Sequence, residues 1–387
     1  MGKSMRTKIG VFILIAALIF LMIPRNASAD GIGVSARSAV LLEQETGRVL
    51  FEKEAYTQRR IASITKIMTA ILAIESGKLS EKVVVSSRAA GTEGSSLYLK
   101  EGEKITLENL VYGLMLRSGN DAAVAIAESV GGSLEGFVEI MNQKAEEIGM
   151  TNTIFANPHG LDDHENHLST AYDMALLTQY AMDNEIYRVI SGTKIHKAPN
   201  ETENWDYVWR NKNKLLTSLY DDSTGGKTGY TKRAKRTLVS TAERDGMTLI
   251  AVTLDAPDDW NDHISMFNWA YSTYERTLIS PKGILDDIKD EPYKGKVKLN
   301  RDLIYPLTTE EKENVKSRIQ LIKPPDKSNW DDPSAFKNPV GLYKVTLDNQ
   351  TLIKVPLTYE ISEKKEKGFW KFFRDLFFIG TGRDSYG

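Results

Sequence analysis

Ile61-Ala62-Ser63-Ile64-Thr65-Lys66-Ile67-Met68-Thr69-Ala70-Ile71-Leu72 is the stretch on which the reading of this chain turns. Ile64, Ile67, Met68, Ile71, Leu72 and Glu75 recur at helical spacing, and Gly77 supplies a C-terminal stop. Ala62, Ala70 and Ala73 make the remaining surface small and apolar, so the expected helix is buried on most sides. Ser63 and Lys66 lie three apart and share a helix face. A hydroxyl that attacks an amide carbonyl needs a base within hydrogen-bond reach. A lysine made neutral by burial beside other cations meets that need. By itself S-x-x-K is weak, because chance supplies it in many chains of this size.

The residues around it carry the weight. Upstream, Ala39 to Leu42 and Val49 to Phe51 read as a hairpin turning through Glu45-Thr46-Gly47. Downstream, Thr106 caps a helix from Leu107 to about Leu116, and Ser118-Gly119-Asn120 breaks it. A helix from Asp121 to Val130 ends at Gly131-Gly132, Ser133 caps another to Gly149, and Thr170 with Asp173 resembles a capping box. Lys227-Thr228-Gly229, after Gly225-Gly226, precedes two strands, Arg236 to Ala242 and Met247 to Leu254, joined through Asp245-Gly246. A helix follows from about His263 to Tyr274. Strands flanking a helical middle predict an α+β fold, an antiparallel sheet with a helical cluster beside it. From about Ser280 helical signals fade. Pro324, Pro325 and Pro333 appear, and short strands are expected at Arg318 to Ile322, Leu342 to Leu347 and Thr351 to Leu357.

The ends address the protein. Lys3, Arg6 and Lys8, an apolar run from Ile9 to Ile23 and Ala27-Ser28-Ala29 have the order of a secretory signal peptide over residues 1–29. The run is shorter than the roughly 18–20 residues of a spanning helix. Removing it takes away Lys3, Arg6, Lys8 and Arg25 and no acid, so the formal charge moves from −2 to −6. That balance argues against nucleic acid as a partner. The 387 residues contain no cysteine, which excludes disulfides, thiol nucleophiles and thiolate metal sites. At the other end Phe369, Trp370, Phe372, Phe373, Leu376 and Phe377 cover one side of a helical projection. Lys371, Arg374 and Asp375 lie opposite, Phe378 breaks the pattern, and Lys364, Lys365 and Lys367 precede it. An aromatic, basic amphipathic segment predicts a peripheral hold on a membrane surface. The expected organisation is a signal peptide at 1–29, a catalytic domain at 30–280, a β domain at 283–361 and an anchoring tail at 364–387.

S-x-x-K, a Ser-x-Asn in a helix break and K-T-G occur here in order, and together they resemble the signature of penicillin-binding proteins and class A β-lactamases. The chain most resembles the low-molecular-mass penicillin-binding D-alanyl-D-alanine carboxypeptidases, from about Val34 to the tail. Ile61 to Lys66, Leu116-Arg117-Ser118-Gly119-Asn120-Asp121 and Gly226-Lys227-Thr228-Gly229-Tyr230 carry the likeness. Gly119 stands where β-lactamases usually have Asp. Asn157-Pro158-His159-Gly160-Leu161-Asp162 and Asp258-Asp259-Trp260-Asn261-Asp262-His263 look closest to the sporulation-associated DacB type of bacilli.

The resemblance implies a β-lactamase/transpeptidase-like domain with Ser63 as nucleophile and Lys66 as its base. Ser118 would pass a proton to the leaving D-alanine, and Asn120 would hold the substrate amide and Lys66. Lys227 and Thr228 would bind the terminal carboxylate beside Gly229, with the backbone N–H groups of Ser63 and Tyr230 as oxyanion hole. It implies peptidoglycan stem peptides and β-lactam antibiotics as partners, no cofactor or metal, and work outside a bacterial membrane. Several relatives carry an arginine near Asp262 that contacts the carboxylate, whereas Trp260-Asn261-Asp262 supplies none at that place.

Other readings stand beside this one. His159, Asp162, Asp163, His164 and His167 crowd one loop in the manner of zinc ligands, but match no H-E-x-x-H spacing. A class A β-lactamase should carry a Glu-x-x-x-Asn loop, and Glu165-Asn166 is not that pattern. A catalytically dead cell-wall protein would have lost motif side chains that are all present. Transpeptidation differs only in whether water or an amine takes the acyl group, which the sequence leaves open.

Overall fold

The computed structural model describes residues 32–360. The signal-peptide reading and the amphipathic-tail reading fall outside them. The chain divides into two compact units between Tyr271 and Ser272.

In the first unit, strands β1 (Ser38–Glu43) and β2 (Val49–Lys53) form the expected hairpin, and the chain then leaves the sheet. It passes through a short 3-10 turn, Ala62–Thr65, into helix α1 (Lys66–Glu75). Helices α2 (Leu107–Arg117), α3 (Asn120–Gly131), α4 (Leu134–Ile148), α5 (Ala171–Met182) and α6 (Glu185–Ser191) follow. The chain returns in β3 (Ser223–Thr231), β4 (Lys235–Arg244) and β5 (Met247–Leu254) and ends in α7 (Asp259–Thr273). The sheet order is β2–β1–β5–β4–β3, antiparallel throughout, so Val40 of β1 lies opposite Val252 of β5. This is the α+β architecture the element pattern predicts, and it puts β3 on an outer edge.

Packing follows from composition. All of α1 from Lys66 to Ile74 is buried, because it sits among α2, α3 and α5. The predicted caps form: Thr106, Ser133 and Thr170 accept from the N–H groups of Asn109, Gly136 and Asp173. The capping box at Thr170 is only half made, since the Asp173 carboxylate accepts instead from Asn152 N and Thr153 Oγ1. Two boundaries differ from the expectation. Lys227-Thr228-Gly229 lies ahead of the β4–β5 pair as expected but is itself part of a third strand, β3, where Gly226 and Gly229 let that edge run close to its neighbours. Helix α7 starts at Asp259, four residues before His263, since buried Asp259 and Asp262 already belong to its first turn.

The second unit has a five-stranded antiparallel sheet of Gly283–Ile284, Val297–Leu299, Gln350–Tyr359, Gly341–Leu347 and Lys316–Leu321, in that order. Glu275–Ser280 pairs separately with Leu303–Leu307. Its own core holds Val297, Leu299, Val345 and Leu357, with Phe336 stacked on Tyr359 at 4.0 Å. A short helix, Thr309–Asn314, closed by a Thr308–Glu311 capping box, was not expected from the sequence.

Gly226 has φ +129°, and a Cβ there would stand 2.2 Å from Val239 O. Gly226→Ala is expected to lower stability by roughly 3 kcal/mol through strain and overlap in the sheet edge. Urea unfolding checks this; a loss below about 0.5 kcal/mol, the ordinary surface range, would contradict it.

Candidate active site

Three segments meet at the edge of β3. The first is the turn before α1. Ala62 is buried with φ +50°, an uncommon conformation for a residue with a Cβ, and it opens the turn that carries Ser63. Its surroundings hold it there. Thr237 Oγ1 donates to Ile61 O at 2.9 Å, and Gly160 approaches so closely that a Cβ on it would lie 1.9 Å from Ala62 O. The expected helix therefore begins at Lys66, one 3-10 turn later than its apolar periodicity suggests, and Ser63 and Lys66 still face each other. Lys66 Nζ donates to Ser63 Oγ at 3.0 Å, to Asn120 Oδ1 at 2.7 Å and to His159 O at 2.6 Å.

The second segment is the break between α2 and α3. Ser118, with φ +64°, closes α2 in the left-handed conformation, and Asn120 opens α3. Asn120 is fixed by its own donors, N to Ser95 O at 2.7 Å and Nδ2 to Glu93 O at 2.6 Å. Next to it the fully buried Asp121 carboxylate accepts from Leu97 N, Leu99 N and Ser96 Oγ, pinning the loop that rims the site. Gly119 is tightly enclosed: a Cβ there would meet Leu97 Cγ at 2.7 Å and Asp121 Oδ1 at 2.8 Å. The aspartate that β-lactamases carry at this point has no room here.

The third segment is β3. Lys227 Nζ donates to Ser118 Oγ at 3.0 Å and to Thr228 O at 2.7 Å. A Cβ on Gly229 would lie 3.0 Å from Ser63 N, so the strand backbone runs alongside the Ser63 N–H. Tyr230 follows with its ring exposed. A cavity of about 300 Å³ opens between these segments, with Ser63, Ser118, Thr228, Gly229 and Tyr230 in its wall. The structure thus brings together all eight residues singled out in the sequence, with Lys66, Asn120 and Lys227 buried around that cavity.

Burial sets the charges. The Lys66 amine is driven well below the usual lysine range, first by desolvation and then by Lys227 and Lys212, with Asp121 opposing. Lys227 is lowered to about 7 by burial and by Lys212. Lys212, Arg236, Asp259 and Trp260 also line the cavity, and sequence reasoning gave them no role. No short motif marks Lys212, which reaches the site through Ser95 Oγ at 3.3 Å. His159 acts through its carbonyl, to which no side-chain pattern points.

The polar groups of the loop from His159 to His167 are divided among separate partners. His159 Nδ1 accepts from Leu161 N, His167 lies between Thr65 Oγ1 at 2.7 Å and Ala156 N at 3.0 Å, and Asp163 accepts from Asn157. Among the described residues no group of three or more His, Cys, Asp or Glu is placed to hold a metal ion. Glu165 is held by Arg60 and Arg233 at the surface.

Comparison with known proteins adds to this geometry. The sequence profile of a family described as D-alanyl-D-alanine carboxypeptidase, peptidase S11, matches residues 24–258. D-alanyl-D-alanine carboxypeptidase DacF of Bacillus subtilis is 34% identical over 358 residues, which cover 88% of each chain. DacC of Escherichia coli is 36% identical over 285 residues, 69% of this chain and 70% of that one. Among solved structures, the D-alanyl-D-alanine carboxypeptidase DacD of Francisella tularensis superposes with a TM-score of 0.65 at 29% identity. That match covers 88% of this chain and 95% of the other.

Burial holds His159 down to about 3 and His167 to about 4, against about 6.5 in an unfolded chain. Between those values the unfolded chain binds more protons, so stability is full above pH 6.5 and is lost as pH falls toward 4. Thermal unfolding is expected to follow that trend, by up to about 1.4 kcal/mol per pH unit for each histidine. His167→Gln should flatten the slope; an unchanged slope would remove His167 as a source.

Proposed function

The chain belongs to the D-alanyl-D-alanine carboxypeptidase family of serine hydrolases, and from that premise we propose that Ser63 and Lys66 remove the terminal D-alanine of peptidoglycan stem peptides. The observation that carries the assignment is the Lys66 amine, fully buried, depressed in pKa and 3.0 Å from Ser63 Oγ. A neutral amine at that distance is a base positioned for the serine proton.

Ser63 Oγ attacks the carbonyl carbon of the penultimate D-alanine as its proton passes to Lys66. The oxyanion that forms is held by the backbone N–H groups of Ser63 and Tyr230. Collapse breaks the C–N bond, and Ser118, bonded to Lys227, relays a proton to the departing nitrogen of D-alanine. Asn120 fixes Lys66 through Oδ1 and would also hold the substrate amide, while Lys227 and Thr228 would bind the terminal carboxylate. Water then cleaves the ester on Ser63 and regenerates the hydroxyl. A β-lactam carbonyl presents the same target, so penicillins acylate Ser63.

The reading extends to place. An exported chain whose C-terminal amphipathic segment rests on a membrane would trim stem peptides at the outer face and limit their cross-linking. No helix among the described residues is long and apolar enough to cross a membrane. The likeness of Asn157–Asp162 and Asp258–His263 to the DacB type supports work in the spore envelope. Muropeptide analysis of spores lacking the protein would test that, and unchanged cross-linking would count against it.

Three measurements check the proposal. Mass spectrometry of a stem pentapeptide is expected to show loss of one alanine. Fluorescent penicillin should label the wild type and leave Ser63→Ala dark, and undiminished labelling of the variant would defeat the nucleophile assignment. Sedimentation with anionic vesicles should fall when residues 364–387 are deleted; equal sedimentation of both forms would sink the membrane role.

A further inference from the structure

The second unit carries a charge arrangement that its own folding does not require. Strands Lys316–Leu321, Gly341–Leu347 and Gln350–Tyr359 lie side by side, and they hold Lys316, Arg318, Lys344 and Lys354 but no Asp or Glu. The register sets Arg318 directly opposite Lys344, and Lys344 directly opposite Lys354. Tyr343, Val345 and Val355 belong to the unit's core and Ile319 packs against it, so the three cations, one place along, point outward. With strands about 4.8 Å apart, three positive charges are held within roughly 10 Å.

Like charges directly opposite one another destabilise a sheet. Here nothing offsets them. Lys298 and Lys312 of this unit are taken by Glu360 and Glu275, but none of the four strand cations has an ion pair among the described residues. Protection of a sheet edge accounts for cations on Lys316–Leu321, the outer strand. It does not account for Lys344 and Lys354, whose strands are interior to the sheet. The next row on the same face is uncharged and partly apolar. Leu342, 36% exposed, lies between Gln320 and Pro356, and Ile322, just past the strand end, is 40% exposed. A soluble polyanion gains little from exposed apolar side chains. An anionic lipid surface offers phosphate to the cations and the acyl-chain boundary to Leu342 and Ile322. In sequence, Gln350–Tyr359 also runs on to Lys364, Lys365, Lys367 and the aromatic tail.

We propose that this outer sheet face is a second membrane-contacting surface, with Arg318, Lys344 and Lys354 binding the phosphate headgroups of anionic lipids. This contact rests on the reading above that sets the chain at a membrane, and it is separate from the tail.

The test follows partitioning of the full-length protein onto mixed phosphatidylglycerol–phosphatidylcholine vesicles. Each cation near an anionic surface contributes on the order of 5-fold in binding. Arg318→Gln, Lys344→Gln and Lys354→Gln together should therefore weaken binding on the order of 100-fold at low salt. Both forms should bind pure phosphatidylcholine vesicles alike. Urea unfolding should find the triple variant at least as stable as wild type, because repulsion is relieved; a clear loss of stability would show that the cations serve the fold and would overturn the proposal. Equal binding of both forms to the anionic vesicles would overturn it too. So would a difference confined to soluble polyphosphate, which would assign the face to a polyanion. Deleting residues 364–387 separates the two membrane readings. The shortened chain should still prefer anionic over phosphatidylcholine vesicles and should lose that preference with the three substitutions. A shortened chain without the preference leaves the tail as sole contact and defeats the proposal; one that binds as well as the full chain removes the tail reading and leaves this face as the contact.

Discussion

The rest of this site depends on the burial of one lysine. An ammonium taken fully out of water is costly unless it is paired, and Lys66 lies near Lys227 and Lys212 with Asp121 opposing them. The fold holds the amine's pKa well below the usual lysine range and gives it three oxygens. Each oxygen comes from a different part of the chain: the turn before α1, the start of α3 and the loop at His159. Exclusion of water from that pocket keeps the amine's pKa low, because desolvation is the largest cause of its shift. The buried face of α1, the left-handed Ala62 and the close approach of Gly160 all serve that exclusion.

The same constraint explains what could be read in advance. Helices α1 to α4 carry their periodicity and caps in contiguous residues, so local pattern was enough to place them. The sheet was legible as strands and turn signals, and its antiparallel character followed from the helical middle they flank. What escaped was non-local. The edge position of β3 depends on β1 pairing with β5 across more than half of the unit, and no window of sequence reports that. The start of α7 was missed because Asp259 and Asp262 look like loop residues until burial and their partners are known. Asp262, for example, accepts from the N–H groups of Ser35 and Ala36.

The site divides in the same way. Its motif residues were legible because their spacing encodes contact: three residues on one helical turn, one helix break, one strand. Lys212, Arg236, Asp259 and Trp260 have no such spacing. They reach the cavity because β4 lies against β3 and because α7 begins where it does. Arg236 looks like any charged residue at a strand end until its partner Asp259 proves to be buried.

The edge position of β3 also limits what a substrate can be. An outer strand carries a row of backbone N–H and C=O groups on its unpaired side. Here that side faces Ser63 and Ser118, not another strand. An extended peptide laid there finds main-chain partners along the strand, the hydroxyl of Ser63 at its carbonyl and the cations of the cavity at its terminus. Arg236, Asp259 and Trp260 line the same cavity as Ser63 and Ser118. The strand edge that can receive an extended peptide comes from sheet topology, and it stands apart from the Ser63–Lys66 pair beside it.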